Sequence, residues 1–335
     1  DEFKDLGGTL EEGRTKSGYQ FLRNELANFY ALSYNFKEEY FIDISLSADA
    51  SSNTGNETEP QVFGIPVALS HAIGLGWDIS KIAGLNYNTF INYLKARLSY
   101  GQLANLVYDP YISKDYYAPK QYYTATGYSK IISPNESLRW EKTQKINLGF
   151  DLAFIQQKLF ISADAYFNRT VDVLNNIFTE IELGNLSWSN DGTLNTMGSE
   201  LNVIFKAYNG PVLKWRTELA LGQYVTKVAN MDNDLIYDFG SGQKIFRNDE
   251  IAGSFYGYEV VKVISSDAEA DALNLSHSNG TLFKAGDIQF KDQNLDGFID
   301  GKDKVVIGNA APDVYGSWVN KFTYKQFSLL TDISF

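Results

Sequence analysis

The sequence contains no cysteine, which excludes structural disulfides, thiolate metal sites and cysteine nucleophiles. Its two histidines, His71 and His277, lie far apart, which argues against a histidine-based catalytic triad or zinc site. We expect His71, inside a strand-like run, to be structural. The chain also lacks any run of about 18 apolar residues, so none of its segments reads as a membrane-spanning helix. A spanning β-barrel stays possible, since each barrel strand needs only about 10 residues of alternating character.

Basic residues are few, with 29 Lys and Arg against 41 Asp and Glu, a net charge of -12. No run of Lys and Arg appears in the sequence, so we expect no nucleic-acid partner. Methionine and tryptophan are scarce, at two and five residues, whereas Tyr and Phe number 22 each. Aromatic side chains suit the pleated surface of β-strands, so this composition favours an all-β fold.

Apolar and polar residues alternate with a period of two through much of the chain, which predicts strands with one apolar and one polar face. In the clearest example Ile42, Ile44 and Leu46 share one face while Asp43 and Ser45 share the other. The same alternation recurs at 94–99, 145–152, 159–167 and 213–223. Such strands are typical of a soluble antiparallel sandwich with one wet face, or of a membrane barrel whose apolar face meets lipid.

The lengths of the connections favour the barrel. Short connections at 35–39, 154–158, 208–211 and 324–326 alternate with long ones at 51–65, 102–141, 170–195 and 226–312. Outer-membrane barrels have short turns on one rim and long extracellular loops on the other, whereas a sandwich has no reason to sort its loops in this way.

We therefore predict an all-β, antiparallel transmembrane barrel segment with long extracellular loops and about 10 wall strands. The predicted strands are 26–36, 40–50, 65–78, 92–101, 141–153, 158–168, 196–207, 212–226, 313–324 and 326–335. The connection 79–92 starts with a sequence suited to a helical turn. An open sheet edge is not tolerated in lipid, so we expect the barrel to include strands beyond this chain. Aromatic residues near the strand ends fit interfacial belts.

Residues 227–312 are predicted to form one large extracellular excursion, with short strands of its own around 256–263. It contains the sharpest motif, D-x-[DN]-x-[DN]-G, which is typical of a calcium loop. Oxygen ligands would come from the side chains of Asp292, Asn294, Asp296, Asp300 and Asp303, and from the carbonyl of Phe298, with Gly297 at the sharp turn. We expect a structural Ca²⁺ ion; the alternative is an Asx-rich turn that binds no metal.

Tyrosines crowd the predicted loop at 102–140, where they can contact a substrate or a partner, or pack the loop on itself. The candidates are Tyr108, Tyr111, Tyr116, Tyr117, Tyr122 and Tyr123. No catalytic residue is assigned, because no acidic pair or nucleophile stands out, and we predict that the chain is not an enzyme.

Five segments, in order, resemble the SusC/RagA-like family of TonB-dependent outer-membrane transporters of Bacteroidota. They are YFIDISLSADASS at 40–52, LKARLSYGQLAN at 94–105, NESLRWEKTQKINLGFD at 135–151, the strand 159–174, and AGDIQFKDQNLDGFIDGKDKVVIGNAAP at 285–312. The resemblance covers most of the chain and is specific as an ordered set. The sequence departs from the usual pattern at Ala50 and Leu295, where the family has Gly, and at Ala310-Ala311.

The resemblance implies a 22-stranded barrel of which residues 1–335 are a part, with a plug domain and a TonB-contact segment that would precede Asp1. It further implies nutrient import, typically of oligosaccharides or peptides, driven through TonB, with a SusD-like surface lipoprotein as a lid. A dimer of such transporter–lipoprotein pairs would be common. The alternatives from the sequence are a structural or adhesive outer-membrane barrel that does not transport, and a secreted, calcium-stapled β-sandwich that binds glycans.

Overall fold

The computed structural model describes residues 22–87, 90–105, 112–122, 125–180, 185–240 and 242–335. In chain order the strands are β1 Glu25–Phe36, β2 Tyr40–Ser51, β3 Gln61–Val62, β4 Ile65–Pro66, β5 Ala68–Asp78, β6 Ile91–Asn105, β7 Tyr116–Tyr122, β8 Ala125–Ser133, β9 Glu141–Phe154, β10 Leu159–Val171, β11 Leu174–Glu180, β12 Asn185–Asn190, β13 Thr193–Asn209, β14 Leu213–Asn230, β15 Leu235–Asp238, β16 Gln243–Phe246, β17 Ser254–Tyr258, β18 Val260–Val263, β19 Ser276–His277, β20 Ile288–Phe290, β21 Phe298–Ile299, β22 Lys304–Gly308, β23 Tyr315–Tyr324 and β24 Phe327–Ser334. Helix α1 spans Asp267–Leu273, and Gly301–Asp303 form a 3-10 turn. No helix in these ranges is long and apolar enough to cross a membrane.

Ten of the strands belong to one sheet, in the order β1-β2-β5-β6-β9-β10-β13-β14-β23-β24. These are the ten predicted wall strands, so the predicted antiparallel all-β fold is confirmed. Between them the connections alternate between short and long, as the sequence predicts. The predicted helical turn after β5 is present as a hydrogen bond of 2.9 Å from the N–H of Ala83 to the carbonyl of Ile79.

The chain divides into two units, residues 1–150 with 168–191, and residues 151–167 with 192–335. In the first unit the alternating residues are in register across strands. Ile42 and Ile44 pair with Leu75 and Ile73 of β5, on what we call the apolar face of this unit. On its polar face, Ser45 pairs with Ala72. His71 lies on the apolar face of β5, where its ring is 6.0 Å from that of Tyr100, and its structural role stays a prediction.

In the second unit too, paired strands place apolar residues on one face and polar residues on the other. On its apolar face Leu219 of β14 pairs with Trp318 of β23, while on its polar face Gly222 pairs with Tyr315. The pairing of β13 with β14 shifts between Phe205 and Tyr208, a bulge near the short connection. Bulges of this kind locally bend a strand and re-aim its side chains.

Large apolar side chains of the ten-stranded sheet are exposed rather than packed. Phe29 is 80% exposed and Leu46 is 51% exposed. The largest fully buried apolar side chains lie instead in the long connections or at a strand end next to one: Ile112, Leu138, Val228, Ile245 and Ile264. A β-sandwich has its core between two packed sheets. Here the ten strands form one sheet, and extended apolar surface of this kind marks a membrane or partner contact.

The long connections carry more structure than the sequence predicted. In the first unit, β7 and β8 join β11 and β12 in a four-stranded sheet, so the segments predicted as loops at 102–140 and 170–195 contain strands. In the second unit, β15, β16, β17 and β22 form another four-stranded sheet. The short strands expected around 256–263 are present as β17 and β18.

Candidate functional site

The polar face of the second unit contains a concavity of about 590 Å³. Carboxylates and hydroxyls line it, and none of its lining residues is Lys or Arg: the polar ones are Ser162, Asp164, Glu200, Asn202, Tyr315 and Ser317. The amide of Asn202 donates to Glu218 at 3.4 Å, which holds this carboxylate against the wall. The surface is therefore rich in hydrogen-bond acceptors, which suits a hydroxylated or cationic ligand.

Two tyrosine rings lie against glycines on this polar face. A Cβ at Gly222 would fall 2.4 Å from Cζ of Tyr315, and one at Gly198 would fall 2.4 Å from Cζ of Tyr166. Tyr224 meets Tyr315 edge to face, with ring centroids 6.0 Å apart. Because only glycine leaves room for rings this close to the backbone, the aromatic surface stays flat against the wall.

The polar face of the first unit has a different charge character. Lys95 lies over the ring of Phe41 at 4.2 Å from its centroid. Together with Asp43, Arg97 and Asn147 these residues line a smaller concavity of about 200 Å³. Basic and acidic groups are thus mixed here.

In the first unit, the long connections pack on one another through a small core of Ile112, Leu138 and Leu174. Asn190 ties the connections together, since its side chain accepts from the N–H of Arg139 at 2.8 Å and donates to the carbonyl of Asp172 at 2.9 Å. The hydrogen bond from the Arg139 guanidinium to Asp172, at 2.7 Å, raises the pKa of Arg139. These contacts make the region an ordered surface rather than a set of separate loops.

The connection after β2 also packs closely against the segment that contains Glu136 and Leu138. The N–H of Gly55 donates to the carbonyl of Leu138 at 2.8 Å. A Cβ at Gly55 would fall 2.1 Å from the carbonyl oxygen of Glu136, so no side chain fits there without moving the backbone. No sequence motif singles out Gly55.

The tyrosines predicted to contact a substrate or partner are only partly described. Tyr117 lies in β7 and is 53% exposed, and the backbone of Tyr116 and Tyr122 lies in the same strand. Tyr108, Tyr111 and Tyr123 lie outside the described residues. Their role as a contact surface stays a prediction.

In the second unit, the predicted calcium loop curls around Asp292. The carboxylate of Asp292 accepts hydrogen bonds from the N–H of Leu295 at 2.6 Å and of Gly297 at 2.8 Å. Gly297 has φ 83, which confirms the predicted sharp turn. Leu295 has φ 60, in the left-handed region, at the position where the resembling family has Gly. The Asx-rich sequence therefore forms a tight acidic turn.

Asp303 is buried within this loop and joins its two ends by hydrogen bonds. It is 0% exposed, and its two carboxylate oxygens accept the N–H of Gln293 at 2.9 Å and of Asp300 at 2.8 Å. Within the described residues, no group of three or more His, Asp or Glu side chains is placed to hold a metal ion. The donor set fits calcium in kind, since all its atoms are oxygens. Each carboxylate oxygen that accepts one N–H keeps a further lone pair.

Two carboxylates near this loop have lowered pKa values. The backbone N–H of Phe298, and then the amide of Asn294, lower the pKa of Asp296. Hydrogen bonds from Lys262 and then Ser265 lower the pKa of Glu269, in the first turn of α1, to about 2. Both groups are therefore charged at neutral pH, and the surface around them keeps its negative charge.

Comparison with known families gives one match over nearly the whole chain. Residues 5–326 match the family described as TonB dependent receptor-like, beta-barrel. Among curated relatives, the TonB-dependent receptor P39 of Formosa agariphila is 28% identical over 98% of this chain and 34% of its own length. The TonB-dependent receptor SusC of Bacteroides thetaiotaomicron is 27% identical over 91% of this chain and 30% of its own length. This chain thus spans about a third of the length of the relatives it matches.

Solved structures of similar fold include the RagAB peptide importer. In its open-open state the match has a TM-score of 0.76 at 17% identity, and covers 98% of this chain and 34% of that one. In the closed-closed state the TM-score is 0.72 at 19% identity, over 92% of this chain and 33% of that one. At these identities the likeness concerns the fold of the described strands.

Proposed function

Since this chain belongs to the TonB-dependent receptor-like β-barrel family, we propose that it forms part of an outer-membrane barrel wall that imports a large nutrient. The apolar face of each unit would meet lipid, and the polar face would line the path of the substrate. The chain's relatives include SusC, so a SusC-like transporter is the type of protein that the proposal names. No covalent chemistry is part of it.

The observation that carries this proposal is the exposed apolar face together with its internal hydrogen bonds. The indole N–H of Trp318 donates to the hydroxyl of Thr217 at 2.8 Å, and that of Trp215 donates to Asn320 at 3.2 Å. In lipid no water can satisfy such donors, so a wall residue must find its partner within the wall. A strand surface built for water would have no such requirement.

The proposal includes partners that the family resemblance suggests. These are TonB, which would transmit the energy of the inner membrane through a segment outside this chain, and a SusD-like lipoprotein that would cover the extracellular side. A solved relative of similar fold is named as the RagAB peptide importer. The ordered outer regions of both units, including the tyrosines of β7, would offer the contact surface to lid and substrate.

The proposed substrate is an oligosaccharide or a peptide. The acceptor-rich concavity of the second unit, lined by Asp164, Glu200 and the Tyr315 ring, is compatible with either. The test is growth and uptake by cells in which the gene is deleted, on labelled oligosaccharides and peptides, with and without a functional TonB. Import would be supported if the deletion abolishes uptake of either oligosaccharides or peptides, and if that uptake requires TonB in cells that keep the gene. Unchanged uptake of all of them would favour the structural or adhesive barrel.

We further propose that the loop from Asp292 to Asp303 binds Ca²⁺ as a structural staple. Asn294, Asp296 and Asp300, with the carbonyl of Phe298, would supply oxygens, while Asp292 and Asp303 hold the loop in shape. Support comes from the sequence spacing and from the left-handed turn at Gly297. The aspartate at the last position is shorter than the glutamate of an EF-hand, so we expect weak affinity, with Kd about 10⁻⁴–10⁻³ M.

The double variant Asp292→Ala, Asp296→Ala is expected to make residues 231–314 more sensitive to protease, because it removes carboxylates that bind both the backbone and the ion. Calcium should protect the unchanged protein, and EDTA should remove this protection. Asp232→Ala, which removes an exposed carboxylate of the same connection outside the loop, is a matched control. If EDTA and the double variant both leave protease protection unchanged, calcium has no structural role here.

A further inference from the structure

Four basic side chains converge on the polar face of the second unit, next to its short connections. Lys206, Lys214, Arg216 and Lys321 line one concavity of about 340 Å³, which we call the rim cation cluster. No acidic residue lines this concavity, and its other polar lining residues include Asn209 and Thr323. Such a concentration of positive charge stands out in a chain whose net charge is -12.

Strand register brings the cluster together. Arg216 of β14 lies directly opposite Lys321 of β23, and Lys214 lies opposite Thr323. Lys206 comes from β13 at the bulge, and its ammonium lies 4.6 Å from the ring centroid of Phe160. On the other face of the same strands, the rings of Trp215 and Phe322 stack at 5.4 Å. The cations therefore lie on the face opposite to the one that meets lipid.

The cluster has little internal compensation for its charge. Arg216 donates to Glu218 at 3.0 Å. Among the described residues, no ion pair is found for Lys206, Lys214 or Lys321. Like charges directly opposite each other on a sheet are destabilising. Two cations on facing positions, each exposed to the same concavity, would be stabilised by a shared anion.

We propose that the rim cation cluster is a binding site for a multivalent oxyanion of the phosphate or sulfate class. The planar guanidinium of Arg216 suits bidentate binding of such a group, and the three ammonium groups add further charge-assisted hydrogen bonds. A lipid headgroup is disfavoured as the source, because the aromatic pair Trp215 and Phe322 occupies the face that would meet lipid. The anion is one that enters from the polar side, free or carried on a soluble ligand.

The test is calorimetric titration of the intact protein in neutral detergent with inorganic pyrophosphate and with sulfate. We expect saturable binding, weakened at least about tenfold in the double variant Arg216→Gln, Lys321→Gln, because two charged hydrogen-bonding groups are lost. Lys95→Gln, a polar-face lysine of the first unit, should leave the binding unchanged. Heat-modifiable mobility on gels checks that each variant is folded.

Four results would overturn the proposal. One is the absence of pyrophosphate and sulfate binding to the folded protein. Another is equal binding by the double variant. The third is displacement of pyrophosphate by anionic phospholipid in nanodiscs, which would mark a lipid site. A Glu-rich peptide that binds where pyrophosphate does not would also contradict it, and would indicate a docking site for an acidic polypeptide. Because these readouts measure binding, they are independent of whether the proposed transport function holds.

Discussion

Arginine in place of Leu46 is expected to destabilise the membrane-inserted protein by about 2–4 kcal/mol. Leu46 is near the middle of β2 on the apolar face, paired with Tyr30 and His71, and it is 51% exposed. If that face meets lipid, the charged side chain must be transferred from water into hydrocarbon, which costs free energy. If it met water, an exposed leucine could be replaced by arginine at almost no cost.

The neighbouring residue supplies the matched control. Ser45 belongs to the same strand but faces the polar side, where it pairs with Ala31 and Ala72. Ser45→Arg should therefore cost much less than Leu46→Arg. The measurement is urea unfolding of the protein in lipid vesicles, with the folded fraction read from heat-modifiable mobility. Equal costs at both positions would mean that the two faces see the same environment, and the lipid assignment would be wrong.

Strands of the ten-stranded sheet could be predicted from the sequence because their signal is local. Residues such as Ile42, Asp43, Ile44 and Ser45 alternate within a few positions, and a slip of one residue would exchange the two faces. The short turns could be predicted equally well from the sequence. Lys37 and Glu38, both with φ 56, form the tight connection between β1 and β2.

The sheets of the long connections could not be predicted in the same way. Strand β8 pairs with β12 in parallel, with Leu186 opposite Ile132, so its partner comes from a distant part of the chain. Strand β7 contains Pro119 and five polar or aromatic residues without clear alternation, so a period-two pattern does not reveal it. Such elements depend on tertiary contacts that no local window contains.

The same distinction between local and tertiary signals explains which candidate site could be predicted from the sequence. The acidic loop was found because its ligands follow one another from Asp292 to Asp303, although the buried role of Asp303 was not foreseen. The rim cation cluster was missed because Lys321 of β23 is far in the sequence from Lys206 and Arg216 of the neighbouring strands β13 and β14. The one local signal was the spacing of Lys214 and Arg216, two residues apart and so on one face of a strand.

The five tryptophans of the chain are divided between two environments. Trp77, Trp215 and Trp318 lie on apolar faces and are 42%, 37% and 46% exposed. Trp140 and Trp188 pack against the small core formed by the long connections of the first unit. Lipids with brominated acyl chains quench an indole that they touch. The first three should therefore be quenched in vesicles, and the last two should not.

Tryptophan quenching by brominated lipid, measured one Trp→Phe variant at a time in the vesicle-inserted protein, tests the lipid-facing wall most directly. We predict that removing Trp77, Trp215 or Trp318 lowers the lipid-quenched fluorescence. Removing Trp140 or Trp188 should lower only the fluorescence that lipid leaves unquenched. The account would be contradicted if the three wall indoles escaped brominated lipid and were quenched instead by aqueous acrylamide.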